Sequence, residues 1–262
     1  MNALHVYGTS ATGKVRTVNE DRFLLAGIHE NLGGVTLHLP AGAELVRHPG
    51  LLVAVADGMG GHAAGELASR IVLQTLAEQV PYFLKAEMST EEVVHQLDQL
   101  ILHADNVLRQ QALLVPEHAD MGCTLVGILL REEACFSFHA GDSRLYRYHQ
   151  RYLQQLTQDH SAAGMMERHG VMVNSSSREI FNSLGGGPGR ACAPEIKSGI
   201  SFTSGDILLL CSDGLSELVP VEAMEQALQA QATLPERGEL LLKLANDNGG
   251  SDNITVVLIE AL

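Results

Sequence analysis

Short apolar runs separated by glycines and polar turn formers fill the first part of the chain: Leu4–Tyr7, Arg22–Ile28, Gly34–Leu39 and Leu51–Ala56. Runs of that length, bounded in that way, predict strands. The period then changes. Ala64, Leu67, Ala68, Ile71, Val72, Thr75 and Leu76 recur at helical spacing, and Pro81 is expected to end that helix because it lacks an amide hydrogen. Ser89-Thr90-Glu91-Glu92 has the form of a capping box. It opens a second helix whose apolar stripe is Val93, Val94, Leu97, Leu100, Ile101, Ala104, Val107 and Leu108. Strand patterns return at Thr124–Leu130, Ala134–His139, Leu145–Tyr148 and Tyr152–Leu156. From Ser161 to Arg190 the chain is polar and glycine-rich, the pattern of an irregular surface excursion or a flap. A strand at Ile207–Leu210, helical pieces at Val221–Leu228 and Pro235–Ala245, and a strand at Asn253–Ile259 complete the pattern.

Strands, a helix pair, strands, another helix pair and a last strand do not make the regular alternation of a parallel α/β sheet. Two long amphipathic helices in succession want to lie side by side against a sheet. The expected fold is therefore α+β, a four-layer α/β/β/α sandwich with two antiparallel sheets face to face and helix pairs outside. No internal repeat or linker divides residues 1–262, so one domain is expected.

Composition narrows the function classes. Hydrophobic residues make up 45% and charged residues 18%, which is a globular balance. Trp is absent and aromatics are 4%, so aliphatic side chains must build the core. A net charge of −14 argues against a non-specific nucleic-acid or anionic-membrane binder. The four cysteines, Cys123, Cys135, Cys192 and Cys211, show no paired spacing and are expected to be reduced. With no signal-peptide pattern and no apolar stretch long enough to span a bilayer, a cytoplasmic protein without membrane insertion is expected.

The candidate chemistry lies where apolar runs stop. Leu51–Ala56 ends in Asp57-Gly58-Met59-Gly60-Gly61-His62, and Ile207–Leu210 leads into Cys211-Ser212-Asp213-Gly214. Asn19-Glu20-Asp21, Gly141-Asp142-Ser143-Arg144 and Ser251-Asp252-Asn253 add further acids. Each aspartate alone is more often a turn former or helix cap than a metal ligand. Gathered together, such carboxylates repel one another unless a cation sits among them, so an oxygen-ligand divalent-metal site is expected. Other chemistries are poorly supported. Gly8-Thr9-Ser10-Ala11-Thr12-Gly13-Lys14-Val15 nearly spells a P-loop, but Val15 replaces the hydroxyl residue that would face Mg²⁺. No cysteine is followed at loop spacing by the arginine that cysteine phosphatases need, and no G-x-S-x-G elbow or zinc spacing occurs. His62 and His160 adjoin acidic motifs and could transfer protons, or could simply support their neighbours.

Taken in order, Arg16-Thr17-Val18-Asn19-Glu20-Asp21, Asp57-Gly58-Met59-Gly60-Gly61, Gly141-Asp142-Ser143-Arg144, Asp159-His160-Ser161, Ser212-Asp213-Gly214 and Asp252-Asn253-Ile254-Thr255 resemble the metal-dependent protein serine/threonine phosphatases of type 2C, in their compact bacterial form. The resemblance spans nearly the whole chain. It implies a sandwich of two antiparallel sheets flanked by helix pairs, with the active site at one end. It implies that Asp57 bridges two Mn²⁺ or Mg²⁺ ions, that the Gly58 carbonyl ligates one, and that Asp213 and Asp252 complete the shell of the other. Glu20 and Asp21 would act near the ions, partly through water, and Arg16 would hold the substrate phosphate. Asp142, with Asp213, would bind a third, weaker ion. The stretch Ser161–Gly189 would match the family's variable flap at the substrate entrance. The implied partners are phosphorylated proteins and an opposing serine/threonine kinase.

Two departures bear on mechanism. Met59 stands where many eukaryotic relatives carry a histidine, and a thioether cannot protonate a leaving group; His62 is then the candidate acid. Asn182-Ser183-Leu184-Gly185 replaces the Thr-Arg that often precedes the Leu-Gly pair. A catalytically silent, phosphoprotein-binding member would be marked by loss of a ligand acid, and every matching position keeps its acid. A P-loop nucleotide hydrolase is the other alternative.

Overall fold

The structure is a computed structural model that describes residues 2–60, 63–132, 134–164, 179–187 and 191–262. Strands β1 (Leu4–Ala11), β2 (Arg22–Leu25), β3 (Ile28–Glu30) and β4 (Gly33–Leu39), a short helix α1 (Glu44–Arg47), β5 (Leu51–Ala56) and β6 (Gly58–Met59) come first. Two long helices follow, α2 (Ala63–Phe83) and α3 (Thr90–Ala112). Then come β7 (Gly122–Cys123), β8 (Leu125–Arg131), β9 (Ala134–Ala140), β10 (Arg144–His149) and β11 (Tyr152–Gln155). The remainder is β12 (Leu184–Gly185), β13 (Glu195–Lys197), β14 (Ile207–Cys211), α4 (Asp213–Ser216), α5 (Val221–Gln229), α6 (Leu234–Asp247) and β15 (Ile254–Ala261).

The strands form two six-stranded antiparallel sheets, ordered β11-β10-β14-β15-β1-β4 and β13-β9-β8-β5-β2-β3, and a small sheet β12-β7-β6. Alternate residues explain the layering. Val53 and Val55 of β5 face inward with Phe23, Val126, Ile128, Leu208, Leu210 and Val257, filling the space between the large sheets. Leu52 and Ala54 face the other way and pack under α2 and α3, against Val72, Leu76, Leu97 and Leu100. On the far side Leu209, Val256 and Leu258 pack against Met224 and Leu228 of α5 and Leu241 and Ala245 of α6. Central strands are thus buried on both faces, which is why their sequences are unbroken apolar runs rather than alternating ones. Each fully buried Leu or Val contributes about 1.5–3 kcal/mol to holding the layers together. The observed fold is the expected four-layer sandwich.

Local chemistry sets the ends of elements. Ser89 caps α3 in a reciprocal capping box, accepting from Glu92 N while the Glu92 carboxylate accepts from Ser89 N. Helix α2 corrects one expectation, because it runs through Pro81 to Phe83. The proline falls in the last turn and forfeits a single bond, and Leu84 N still reaches Val80 O at 2.9 Å. The run Arg22–Ile28 is a hairpin rather than one strand, because Ala26 and Gly27 both take positive φ and turn the chain. The expected strand from Thr124 is interrupted at that residue, whose N donates to Asp57 O instead of continuing a ladder. Gly8 to Ala11 lie in β1, Gly8 to Ser10 paired on both sides and Ala11 with β15, so this part of the near-P-loop is sheet, not a phosphate cradle. Among the described residues no helix is long and apolar enough to cross a membrane. All four cysteines are buried and unpaired.

Candidate metal centre

The sheet registers bring the acids together. Arg22 pairs with Ala56, so the start of β2 and the end of β5 share one edge of the sandwich. Cys211 pairs with both Val256 and Arg144, which sets the end of β14 beside the starts of β15 and β10. Just beyond those positions lie Glu20 and Asp21, Asp57, Asp213, Asp252 and Asp142. The result is a cleft of ≈ 250 Å³ lined by Arg16, Glu20, Asp57, Gly58, Met59, Gly60, Thr124, Asp142, Ile180, Asp213, Asp252 and Asn253. Asp21 stands behind this wall and is fully buried.

Close backbone contacts make the site possible. A Cβ on Gly58 would lie 2.2 Å from Gly65 O and 2.8 Å from Glu20 O, so only glycine lets β6, α2 and the Glu20 loop meet. Gly13, at φ +79, would place a Cβ 2.1 Å from Asp252 O.

Hydrogen bonds then fix the acid-bearing loops. Asn253 Nδ2 donates to Thr12 O (3.0 Å) and Val18 O (2.9 Å), and its Oδ1 accepts from Glu20 N (2.8 Å). Ser69 of α2 donates to Glu20 O at 2.7 Å. Thr124 holds the Asp57 peptide from both sides: its N donates to Asp57 O (2.8 Å) and its hydroxyl accepts from Asp57 N (3.2 Å). The same hydroxyl meets Ser143 Oγ at 2.7 Å, which links the Asp57 turn to the Asp142 turn. Asp21 Oδ2 accepts from Ser212 Oγ (2.6 Å) and Thr255 Oγ1 (2.8 Å). Since Thr255 donates there, Ser10 must donate to Thr255 (2.7 Å) while accepting from Asn19 Nδ2 (2.8 Å). A buried, directional chain of donors thus ends on one oxygen of Asp21.

The other oxygen is different. Asp21 Oδ1 and Asp142 Oδ1 are buried and find no hydrogen-bond partner among the described residues. Burial, then the neighbouring Asp213, pushes Asp142 up to about 7. Burial raises Asp21 to about 7 against the pull of its two hydroxyl donors. Asp57 lies well above the ordinary carboxylate range, through burial first and then Asp21, Asp213, Asp142 and Asp252. Arg16 is the cation in the lining; its Nη2 donates to Asp252 Oδ2 at 2.8 Å, using one of five donors. One guanidinium does not balance so many acids. Orphaned carboxylate oxygens, mutual repulsion and an all-oxygen donor set fit hard divalent cations such as Mg²⁺ or Mn²⁺.

Of the residues singled out from sequence, Arg16, Glu20, Asp57, Gly58, Asp142, Asp213 and Asp252 line this cleft. His62 lies outside the described residues, as do residues 165–178 and 188–190 of the expected flap. His160 is not in the lining. It stacks on His139 with ring centroids 4.4 Å apart, and these two with Glu195 present ligand-type atoms within 4.8 Å of one another. His160 Nδ1 accepts from Asn182 Nδ2 (2.9 Å) and Gly141 N (3.3 Å), so the proton sits on Nε2 and no ring lone pair is left for an ion. Its role is support. The sequence pattern does not single out Thr124, and it shows Ser143, Ser212 and Thr255 only as neighbours of the acids, because a hydroxyl gives no local sign of a buried partner far along the chain.

A sandwich with acids converging at one end defines a metal-dependent hydrolase type of site, and comparison with known proteins gives the family. The protein phosphatase 2C family matches residues 43–257. The serine/threonine phosphatase stp of Listeria monocytogenes is 31% identical over 262 residues, covering 98% of this chain and 96% of that protein. Among solved structures, the S. agalactiae serine/threonine phosphatase superposes with a TM-score of 0.83 at 23% identity, covering 99% of this chain and all of that one. The catalytic domain of the phosphatase PstP, in complex with 2 manganese ions, gives a TM-score of 0.74 at 30% identity and covers 98% of both chains. The chain belongs to the protein phosphatase 2C family and is a metal-dependent phosphoprotein phosphatase.

Proposed function

We propose that this cleft removes phosphate from phosphoserine and phosphothreonine of proteins with two divalent cations, Mn²⁺ or Mg²⁺, held by Asp57, the Gly58 carbonyl, Asp213 and Asp252. Such cations, when bound, supply a water of lowered pKa and neutralise charge on the phosphoryl group. The chain's own residues do the rest. Arg16, at the rim, holds the phosphate through its remaining guanidinium donors and aligns it for in-line attack. Glu20 and Asp21 orient water around the centre. Asp142, beside Asp213, offers the place for a third, weaker ion. Among the described residues no histidine lines the cleft and Met59 cannot donate, so the leaving alkoxide takes its proton from water or from a residue such as His62.

The observation that carries this reading is the convergence of acids from separate strand ends, two of them with a buried oxygen that has no hydrogen-bond partner among the described residues. Phosphoproteins are the substrates and a serine/threonine kinase the opposing activity. The four unpaired cysteines fit a reducing, cytoplasmic setting. Hydrolysis of p-nitrophenyl phosphate and a phosphothreonine peptide, with added Mn²⁺, with EDTA, and in Asp57→Ala, tests the proposal. Turnover should need the metal and vanish in the variant; turnover that survives both treatments overturns it.

A further inference from the structure

The C-terminal stem of the flap is built in a way that does not hold itself. Gly185, Gly186 and Gly187 all have positive φ, at 70, 73 and 90 degrees. A Cβ on Gly185 would lie 2.4 Å from Met121 O, so the sequence must be glycine there. Glycine brings no intrinsic order, and consecutive glycines cost the most entropy to fix. Order has to come from outside the stem.

It comes from α3. Asp105 Oδ1 accepts from Gly185 N at 2.7 Å, and its Oδ2 accepts from Arg109 Nε at 2.8 Å. Arg109 then donates Nη2 to Gly185 O at 2.9 Å and Nη1 to Gly187 O at 3.0 Å. The Asp105 side chain is 7% exposed and that of Arg109 24%. A planar fork gripping two carbonyls, itself oriented by a buried carboxylate, is a geometric device that a lysine cannot copy. The gripped segment leads to the site. β12 pairs with β7, β7 pairs with β6, and β6 begins at Gly58. Ile180, a few residues upstream of the stem, lines the cleft itself.

We propose that Asp105 and Arg109 are positioning residues that fix the flap stem beside the cleft and so set the affinity for phosphoprotein substrates. This rests on the phosphatase reading above. A small phosphomonoester needs only the metal centre and Arg16, whereas a peptide also meets the part of the cleft that Ile180 lines. The pair therefore acts on the KM for peptides and not on the chemistry.

The test uses the full chain with Mn²⁺, comparing wild type with Arg109→Lys and Asp105→Asn on p-nitrophenyl phosphate and a phosphothreonine peptide. Calorimetric Mn²⁺ binding serves as a readout independent of turnover. In Arg109→Lys, Mn²⁺ affinity and p-nitrophenyl phosphate kcat should stay within about twofold while the peptide KM rises about tenfold, the scale of one or two lost hydrogen bonds. Asp105→Asn keeps an acceptor for Gly185 N but loses the charge that orients Arg109, and should move the peptide KM the same way. It carries the test should the lysine variant fail to fold. Equal losses on both substrates, or an unchanged peptide KM in active variants, overturn the proposal. A wild type inactive on both substrates with Mn²⁺ would instead overturn the phosphatase reading.

Discussion

Two carboxylates bracket β14, and the protein treats them in opposite ways. Asp206, just before the strand, is fully buried and saturated: Arg147 donates from Nε (3.1 Å) and Nη2 (2.8 Å), Thr203 from N (2.8 Å) and Oγ1 (3.1 Å), and His149 pairs with the other oxygen. Burial alone would raise its pKa, but these donors outweigh it and hold the group below the ordinary carboxylate value. Asp213, just after the strand, faces Asp57, Asp142 and Asp21 and raises the pKa of each. The first carboxylate is answered by fixed protein groups and serves stability. The second belongs to a set answered only in part, and on the proposed reading that deficit recruits cations.

Asp57→Ala sharpens the contrast most. It should lower metal-dependent turnover by about a thousandfold or more, because the centre loses the ligand expected to bridge both ions. The metal-free protein should melt no lower than wild type, since a repelled buried carboxylate has been removed. Asp206→Ala should do the reverse, costing about 3–5 kcal/mol in urea denaturation by stranding Arg147, with turnover per folded molecule kept. Thr255→Val cuts the donor chain to Asp21 and should weaken Mn²⁺ binding about 10–100-fold by calorimetry. A Thr255 variant with unchanged affinity would reduce that chain to mere packing.

The smallest effect is in pH dependence. Asp21 and Asp142 have folded pKa values of about 7, above the 3.8 of an ordinary aspartate. Their contribution to metal-free stability is therefore full in acid and lost as pH rises through 7. The Tm of EDTA-treated protein should fall by a few degrees from this source between roughly pH 4 and 7, whereas stabilisation by Mn²⁺ should grow over the same window. Asp206, with its lowered pKa, contributes above the ordinary aspartate value and loses that contribution as pH falls through its own. Scanning fluorimetry with and without Mn²⁺ separates the two limbs.

The elements were legible wherever a periodic pattern was long: β5, β14 and β15 as apolar runs, α2 and α3 as stripes, and Ser89 as a cap. The acids were legible because each stands at the end of such a run. What could not be read was long-range. Ser10 and Thr255 look like ordinary strand hydroxyls until β1 and β15 are paired, and Asp206 in Ser204-Gly205-Asp206 reads as a turn until Arg147 arrives from β10. Arg109 reads as an exposed helical cation, because nothing local announces the glycines it will grip. Pro81 misled because a proline in a last turn costs far less than one in a helix interior.

Calorimetric titration of the metal-free protein with Mn²⁺, in wild type and in Asp57→Ala, tests the central claim most directly. The account predicts two tightly bound ions per wild-type chain and loss of that tight binding in the variant. A wild type that takes up no ion, or a variant that binds as wild type does, would contradict it.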